Sequence, residues 1–385
     1  KNSPRVSSLG ANLSDEEEEE VEGPHGDRVK RQSYSDVLKN HAWYHMPWVT
    51  GYWAEGSKGR KQARVDDFEF LNEIGDGMTS IVYLTRLKLS STLCPGIPAE
   101  CVIKAMRKDQ RLDCGRRVGD LAKNEIAVQK ECAACPFITR LYGSFETETH
   151  LFMVMEWAVC DFFSTMTENY GKKRYSSNLA IYAAQVLVAI EYLHKRGYMY
   201  RDLKPENLLM REGGSVMLSD LGLVRQMGRD ERITHLCGTA EYMCPEMIAR
   251  TGYGFMADIW TFGVFLFEIL TCSTPFQHEN GRDDPGHLKL FKNITTFKEI
   301  RFPRSARVPA LAQQLVTALL VTDPSKRLGA QDELGDYHSI KGHPYFSDID
   351  WDKLIEGMLV PTLRPSVCAS EMKPVRRPFP WQAKE

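Results

Sequence analysis

Tyr200-Arg201-Asp202-Leu203-Lys204-Pro205-Glu206-Asn207-Leu208-Leu209 holds an Asp, a Lys and an Asn within six residues, with an apolar pair behind them. Together those three side chains can meet a hydroxyl, a phosphoryl oxygen and a metal ion. Alone, the same residues also suit a polar surface loop. Asp220 follows 18 residues after Asp202, in Ser219-Asp220-Leu221-Gly222. A carboxylate before a glycine at a strand end suits Mg2+, or an ordinary turn. Upstream, Cys101-Val-Ile-Lys104 sets a lysine on a strand-like run, and Glu125, 21 residues later on a helix-like run, can pair with it. Further upstream, Gly75-Asp-Gly77-Met-Thr-Ser80-Ile-Val82 lies between two strand-like runs. Glycines there let the backbone turn sharply and bring its N–H groups near phosphate oxygens. A strand follows this loop instead of a helix, which argues against a dinucleotide-binding turn.

Around these motifs the periodicity changes once. Phe68–Ile74, Ile81–Leu87 and Cys101–Met106 read as strands separated by turns. From about Tyr175 helical spacing dominates, with Leu179, Tyr182, Val186, Ile190 and Leu193 on one face of a helix over Asn178–Arg196. A β-rich part therefore precedes a larger helical part. The 385 residues, 43 % hydrophobic with net charge −2, exclude a globally disordered chain and give no whole-protein case for nucleic acid. The charge is uneven, because Ser14–Glu22 carries seven carboxylates. Residues 1–30 are expected to be a disordered acidic tail, and 31–66 an aromatic-rich docking segment with Trp43, Trp48 and Trp53. The chain opens Lys-Asn-Ser-Pro with no apolar leader-like run, and Ala257–Cys272 is too short to span a bilayer. Ten scattered cysteines point to reduced thiols and a cytoplasmic or nuclear setting. The one CxxC, Cys132 and Cys135, has no second pair to complete a zinc site.

Taken in order and spacing, the motifs resemble the signature set of the protein kinases, from about Phe68 to Phe346. Cys244-Pro245-Glu246, Asp258-Ile-Trp260 and Arg327-Leu-Gly329 extend the resemblance. Tyr200 before Arg-Asp, Leu236-Cys237-Gly238-Thr239-Ala-Glu-Tyr242, His343-Pro344-Tyr345-Phe346 and Ile349-Asp-Trp351 look like the AGC group. That group holds the relatives of cyclic-nucleotide-dependent kinases, protein kinase C and the phosphoinositide-dependent kinase. The resemblance implies an α+β, two-lobed kinase domain over 67–346. Its β-rich N-lobe would be 67–155, its helical C-lobe 159–346, with a short tail over 347–385. It also implies Ser/Thr specificity, marked by Lys204 and Thr239, with ATP and Mg2+ as cofactors.

Carried onto matching positions, the resemblance gives Ile74, Gly75, Gly77, Val82, Val102, Met155, Glu156, Ala158, Asp161 and Leu209 an ATP-binding role. Lys104 would contact the α- and β-phosphates and pair with Glu125. Asp202 would accept the substrate proton beside Lys204, and Asn207 and Asp220 would hold Mg2+. Glu246 and Arg327 would form a structural ion pair. Asp161 and Glu206 match positions that receive substrate arginines, while another such acidic position stands here as Lys292. This gives an expected preference for Arg three residues before the target, weaker at two before.

Several positions depart from the family. Ser80 replaces the third glycine, Val102 the usual Ala, and Gln129 an apolar residue of the regulatory spine. A buried amide needs partners. The activation segment has Thr234 and His235 where a phosphorylatable Thr is usual, with Arg201 and Arg225 as basic partners. Either a phosphate on Thr234, placed by an upstream kinase, pairs with them, or Asp230 or Glu231 supplies a permanent charge. Phe379-Pro-Trp381 only hints at the family's C-terminal hydrophobic motif, so the N-terminal aromatics are a candidate for its place. A monomer acting on protein substrates is expected, without nucleic acid or a membrane span. A pseudokinase scaffold is the rival reading, kept open by Gln129 and Val102.

Overall fold

The computed structural model describes residues 63–77, 79–88, 97–111, 117–277 and 287–365, with 20–22, 28–30, 373–375, 379 and 381 besides. The chain forms two compact units, Lys1–His45 and Met46–Glu385. In the first, β1 (Glu20–Glu22) and β2 (Arg28–Lys30) pair antiparallel, setting Glu20 opposite Lys30 and Glu22 opposite Arg28. Ser14 and the aromatic stretch up to residue 62 lie outside the described residues.

In the second unit, alternating side chains build a small β-rich lobe. Its strands are β3 (Phe68–Asp76), β4 (Ser80–Leu87), β5 (Glu100–Arg107), β6 (Leu141–Glu146) and β7 (His150–Met155). With β13 (Lys373–Pro374) they form one antiparallel sheet in the order β13-β3-β4-β5-β7-β6. The two-residue period sends alternate residues to opposite faces. Ile103, Ala105, Phe152 and Val154 join Phe68, Phe70 and Tyr83 in one core. Met106, Leu151 and Met153 join a second core with Val118, Ala122 and Ile126 of the helix Val118–Glu131. The first core is closed by the end of the chain. Phe379 and Trp381 stack on each other with ring centroids 4.7 Å apart, and both pack on Phe70 and Tyr83.

The larger lobe is built around Met256–Thr271, whose residues from Ala257 onward are all buried. A helix apolar on every side must sit inside a body, so the most apolar stretch of the sequence is this lobe's central helix. A side chain at Gly263 would come within 2.9 Å of Leu319 and Leu320, so the glycine admits the neighbouring helix Ala310–Leu319. The helix Leu179–Lys195 packs beside it. Three short strands, β8 (Cys160–Asp161), β10 (Leu208–Met210) and β11 (Val216–Leu218), form a small sheet. Another pair, β9 (Tyr198–Met199) and β12 (Arg225–Gln226), brackets the loop between them.

Candidate active site

The two lobes enclose a cleft of about 510 Å³, a volume suited to a small organic ligand. Its roof is the β3–β4 hairpin, with Ile74, Gly75, Gly77, Ser80 and Val82, and its walls include Val102 and Lys104. Glu125 and Met155 line the back, and Glu156, Ala158 and Asp161 line the segment joining the lobes. Glu206, Asn207, Leu209 and Asp220 form the floor. The hairpin closes through the Gly77 amide, which donates to the Ser80 carbonyl at 2.9 Å.

Lys104 sits on β5 with its ammonium turned into this cleft. Nζ donates to both carboxylate oxygens of Glu125, at 2.8 and 3.1 Å, and lies 3.6 Å from Asp220 Oδ1. Burial acts to lower the lysine's pKa, but the two carboxylates outweigh it and hold the group above its ordinary value. The cation is thus fixed where anionic oxygens would enter. Asp220 reaches this position through backbone at φ +49°, a region that non-glycine residues enter rarely, and its side chain accepts from the Gly222 amide.

Asp202 is held from three sides. Asn207 Nδ2 donates to its carbonyl at 2.8 Å and to Oδ2 at 2.7 Å. Thr239 Oγ1 donates to Oδ1 at 3.2 Å, and Lys204 Nζ donates to Thr239 at 2.8 Å while lying 3.3 Å from Oδ2. The loop itself is anchored from below. Buried Asp258 accepts from the amides of Tyr200 and Arg201, at 2.7 and 2.8 Å, and lies 2.8 Å from His194 Nε2. Arg201 turns at φ +73° and donates Nε to the Leu223 carbonyl.

Elsewhere some expected pairs form and other residues take new partners. Arg225 pairs with Glu231 at 2.9 Å, and Glu231 also accepts from the Gly228 amide at 3.1 Å. Thr234 is exposed two residues beyond Arg232. Arg327 and Glu246 form a buried bidentate pair with both contacts at 2.7 Å. Asp161 caps the helix Phe162–Asn169, accepting from the Ser164 amide and hydroxyl, both at 2.7 Å. Lys292 stands exposed on the helix Leu288–Thr296.

Two functional features lie beyond the sequence reading. Arg211 grips the Glu156 carboxylate at 2.7 and 3.0 Å and donates to the Pro136 carbonyl, tying the inter-lobe segment to β10. Burial raises the Glu156 pKa, but Arg211 reverses the shift and leaves it below its ordinary value. Glu268 is buried and accepts from the Tyr242 hydroxyl. Burial, then the charges of Glu206 and Glu241, push its pKa up to about 8. The CxxC cysteines Cys132 and Cys135 are buried thiols pushed up to about 12 by desolvation.

Comparison with known proteins follows the same residues. A family model described as "Protein kinase domain" matches residues 68–346. The serine/threonine-protein kinase AtPK1/AtPK6 of Arabidopsis thaliana is 33% identical over 307 residues, covering 79% of this chain and 60% of that protein. The serine/threonine-protein kinase sck2 of Schizosaccharomyces pombe is 35% identical over 308 residues, 78% of this chain and 44% of that protein. Ribosomal protein S6 kinase alpha-2 of Mus musculus is 33% identical over 312 residues, 80% and 40% respectively. The chain spans 60% or less of each of these three, so the likeness concerns the shared domain and not their further parts.

Proposed function

The chain belongs to the protein kinase domain family, and from that premise we propose that it is an AGC-group Ser/Thr protein kinase. It transfers the γ-phosphoryl group of ATP to a Ser or Thr hydroxyl of protein substrates. The observation that carries this reading is Lys104, held at 2.8 Å by Glu125 on the helix and 3.6 Å from Asp220 on the floor. A cation fixed between both lobes meets the need of phosphoryl transfer, which depends on positioning and charge stabilisation.

In the reaction the hydroxyl oxygen forms a bond to the γ-phosphorus as the bond to the bridging oxygen breaks and ADP leaves. Asp202 receives the hydroxyl proton, and Lys204, 3.3 Å from it, faces the developing charge. Asn207 and Asp220 would hold Mg2+, offering one neutral and one anionic oxygen donor. Among the described residues no group of three or more His, Cys, Asp or Glu competes as a self-contained metal site. When bound, Mg2+ neutralises phosphate charge.

We also assign a preference for basic residues near the target. Glu206 lines the cleft, and its charge and that of Glu241 act on Glu268, so three carboxylates share one field. A substrate guanidinium would relieve their mutual repulsion. Incubation with γ-labelled ATP and Ser, Thr and Tyr peptides with or without neighbouring Arg tests the reading. Label on Ser or Thr of the Arg-containing peptides is expected; label on Tyr alone contradicts the specificity, and no label favours the scaffold reading.

A further inference from the structure

We propose that Gln129 makes the back of the nucleotide cleft a donor-selective subsite, one that takes a ligand O–H or N–H reaching past Met155. The inference rests on the reading of this cleft as the nucleotide site. Gln129 lies on the helix Val118–Glu131, is 1 % exposed, and lines the cleft beside Glu125, Thr139 and Met155. Its Nε2 donates to the Thr139 carbonyl at 3.3 Å and lies 3.8 Å from Met155 Sδ. The Thr139 carbonyl can only accept, so it fixes which end of the amide is nitrogen. Oε1 has no hydrogen-bond partner among the described residues. A buried carbonyl oxygen without a donor loses a hydrogen bond that water supplied in the unfolded chain. A ligand that brings a donor to this oxygen recovers that loss; a ligand of equal shape without one does not. The complementary chemistry is therefore a flat, adenine-like ring with a hydroxyaryl group.

The test uses two adenine-like aminopyrazolopyrimidines, one with a 3-hydroxyphenyl group and one with the matching 3-methylphenyl group. Calorimetry measures their affinities for the full chain, with Mg·ADP as a separate arm. The hydroxyl compound is expected to bind about fivefold tighter, the value of one net hydrogen bond. In Gln129→Leu the preference should vanish, and Gln129→Met, which keeps the chain length, should behave alike if the first variant folds poorly. Equal affinities in the wild type overturn the subsite, as they would if water already satisfied Oε1. A preference that survives both variants also overturns it, assigning the acceptor to Glu125 or Asp220. If Mg·ADP binds and the pair shows no difference, only the subsite fails. If neither Mg·ADP nor either compound binds, the nucleotide reading falls, and the subsite with it.

Discussion

Glu268 is a carboxyl group held far from its ordinary range. Burial and the charges of Glu206 and Glu241 raise its carboxyl to about 8, against an ordinary value of 4.5. Between those values the unfolded chain gives up a proton that the folded protein keeps, so this group's contribution to stability is full below pH 4.5 and is lost as pH rises through 8. Glu268→Gln should flatten that part of the profile, gaining on the order of 1–3 kcal/mol over the wild type above pH 8. Urea unfolding at pH 5.5 and 8.5 measures it; parallel losses in both proteins would contradict the assignment. An Arg peptide should also bind better as pH rises through 8, because its guanidinium pairs with the ionised form. The sequence concealed this residue because it stands 62 positions from Glu206 inside an apolar helical run, where periodicity marks only core. Lys104, Asp202 and Asp220 were legible because each sits in a short motif of fixed spacing. Arg211 was not, since its partner Glu156 is 55 positions away and only the β8–β10 pairing brings them together.

Among the elements, the segment from Asp220 to Thr239 is braced without a phosphate. Arg225 lies in β12, held on β9, and Glu231 bridges it to the Gly228 amide. Asn124 of the long helix donates to the Val224 carbonyl at 3.3 Å, which joins the helix carrying Glu125 to the same segment. We propose the permanent carboxylate over the phosphothreonine, on the strength of the Arg225–Glu231 pair. The pair is about 40 % exposed, so its direct worth is small, about 1 kcal/mol or less. Glu231→Ala should therefore lower peptide phosphorylation about fivefold at most, while Thr234→Ala should change it less than twofold. The reverse ranking, with phosphate found on Thr234 by mass spectrometry, would support the phosphothreonine. The C-terminal element was only half legible. Phe379-Pro-Trp381 lacks the expected Phe-x-x-Phe spacing, yet both rings complete the outer core of the small-lobe sheet. Phe379→Ala should cost on the order of 2 kcal/mol in thermal or urea unfolding. An unchanged midpoint would show that the tail does not contribute to the lobe.

Across the whole molecule, the two-lobed arrangement was readable because the periodicity changes from two to three-and-four at one place in the chain. Strand ends moved by only one or two residues: Phe68–Ile74 extends to Asp76, and Cys101–Met106 to Glu100–Arg107. What the sequence could not supply was the seam, where Lys104, Glu125, Gln129, Asp202 and Asp220 come together from strands, helix and loops. Lys104, Glu125, Asp202, Asn207 and Asp220 each have hydrogen-bonded partners, and Val102 and Gln129 alter the cleft without breaking the Lys104–Glu125 pair. The direct test is the initial rate of label transfer from γ-labelled Mg·ATP to an Arg-containing Ser peptide, wild type against Asp202→Ala. Transfer by the wild type, lowered about 10²-fold or more in the variant, is the expected result. No transfer by the wild type, together with no thermal shift on adding Mg·ATP, would contradict the account and leave the scaffold in its place.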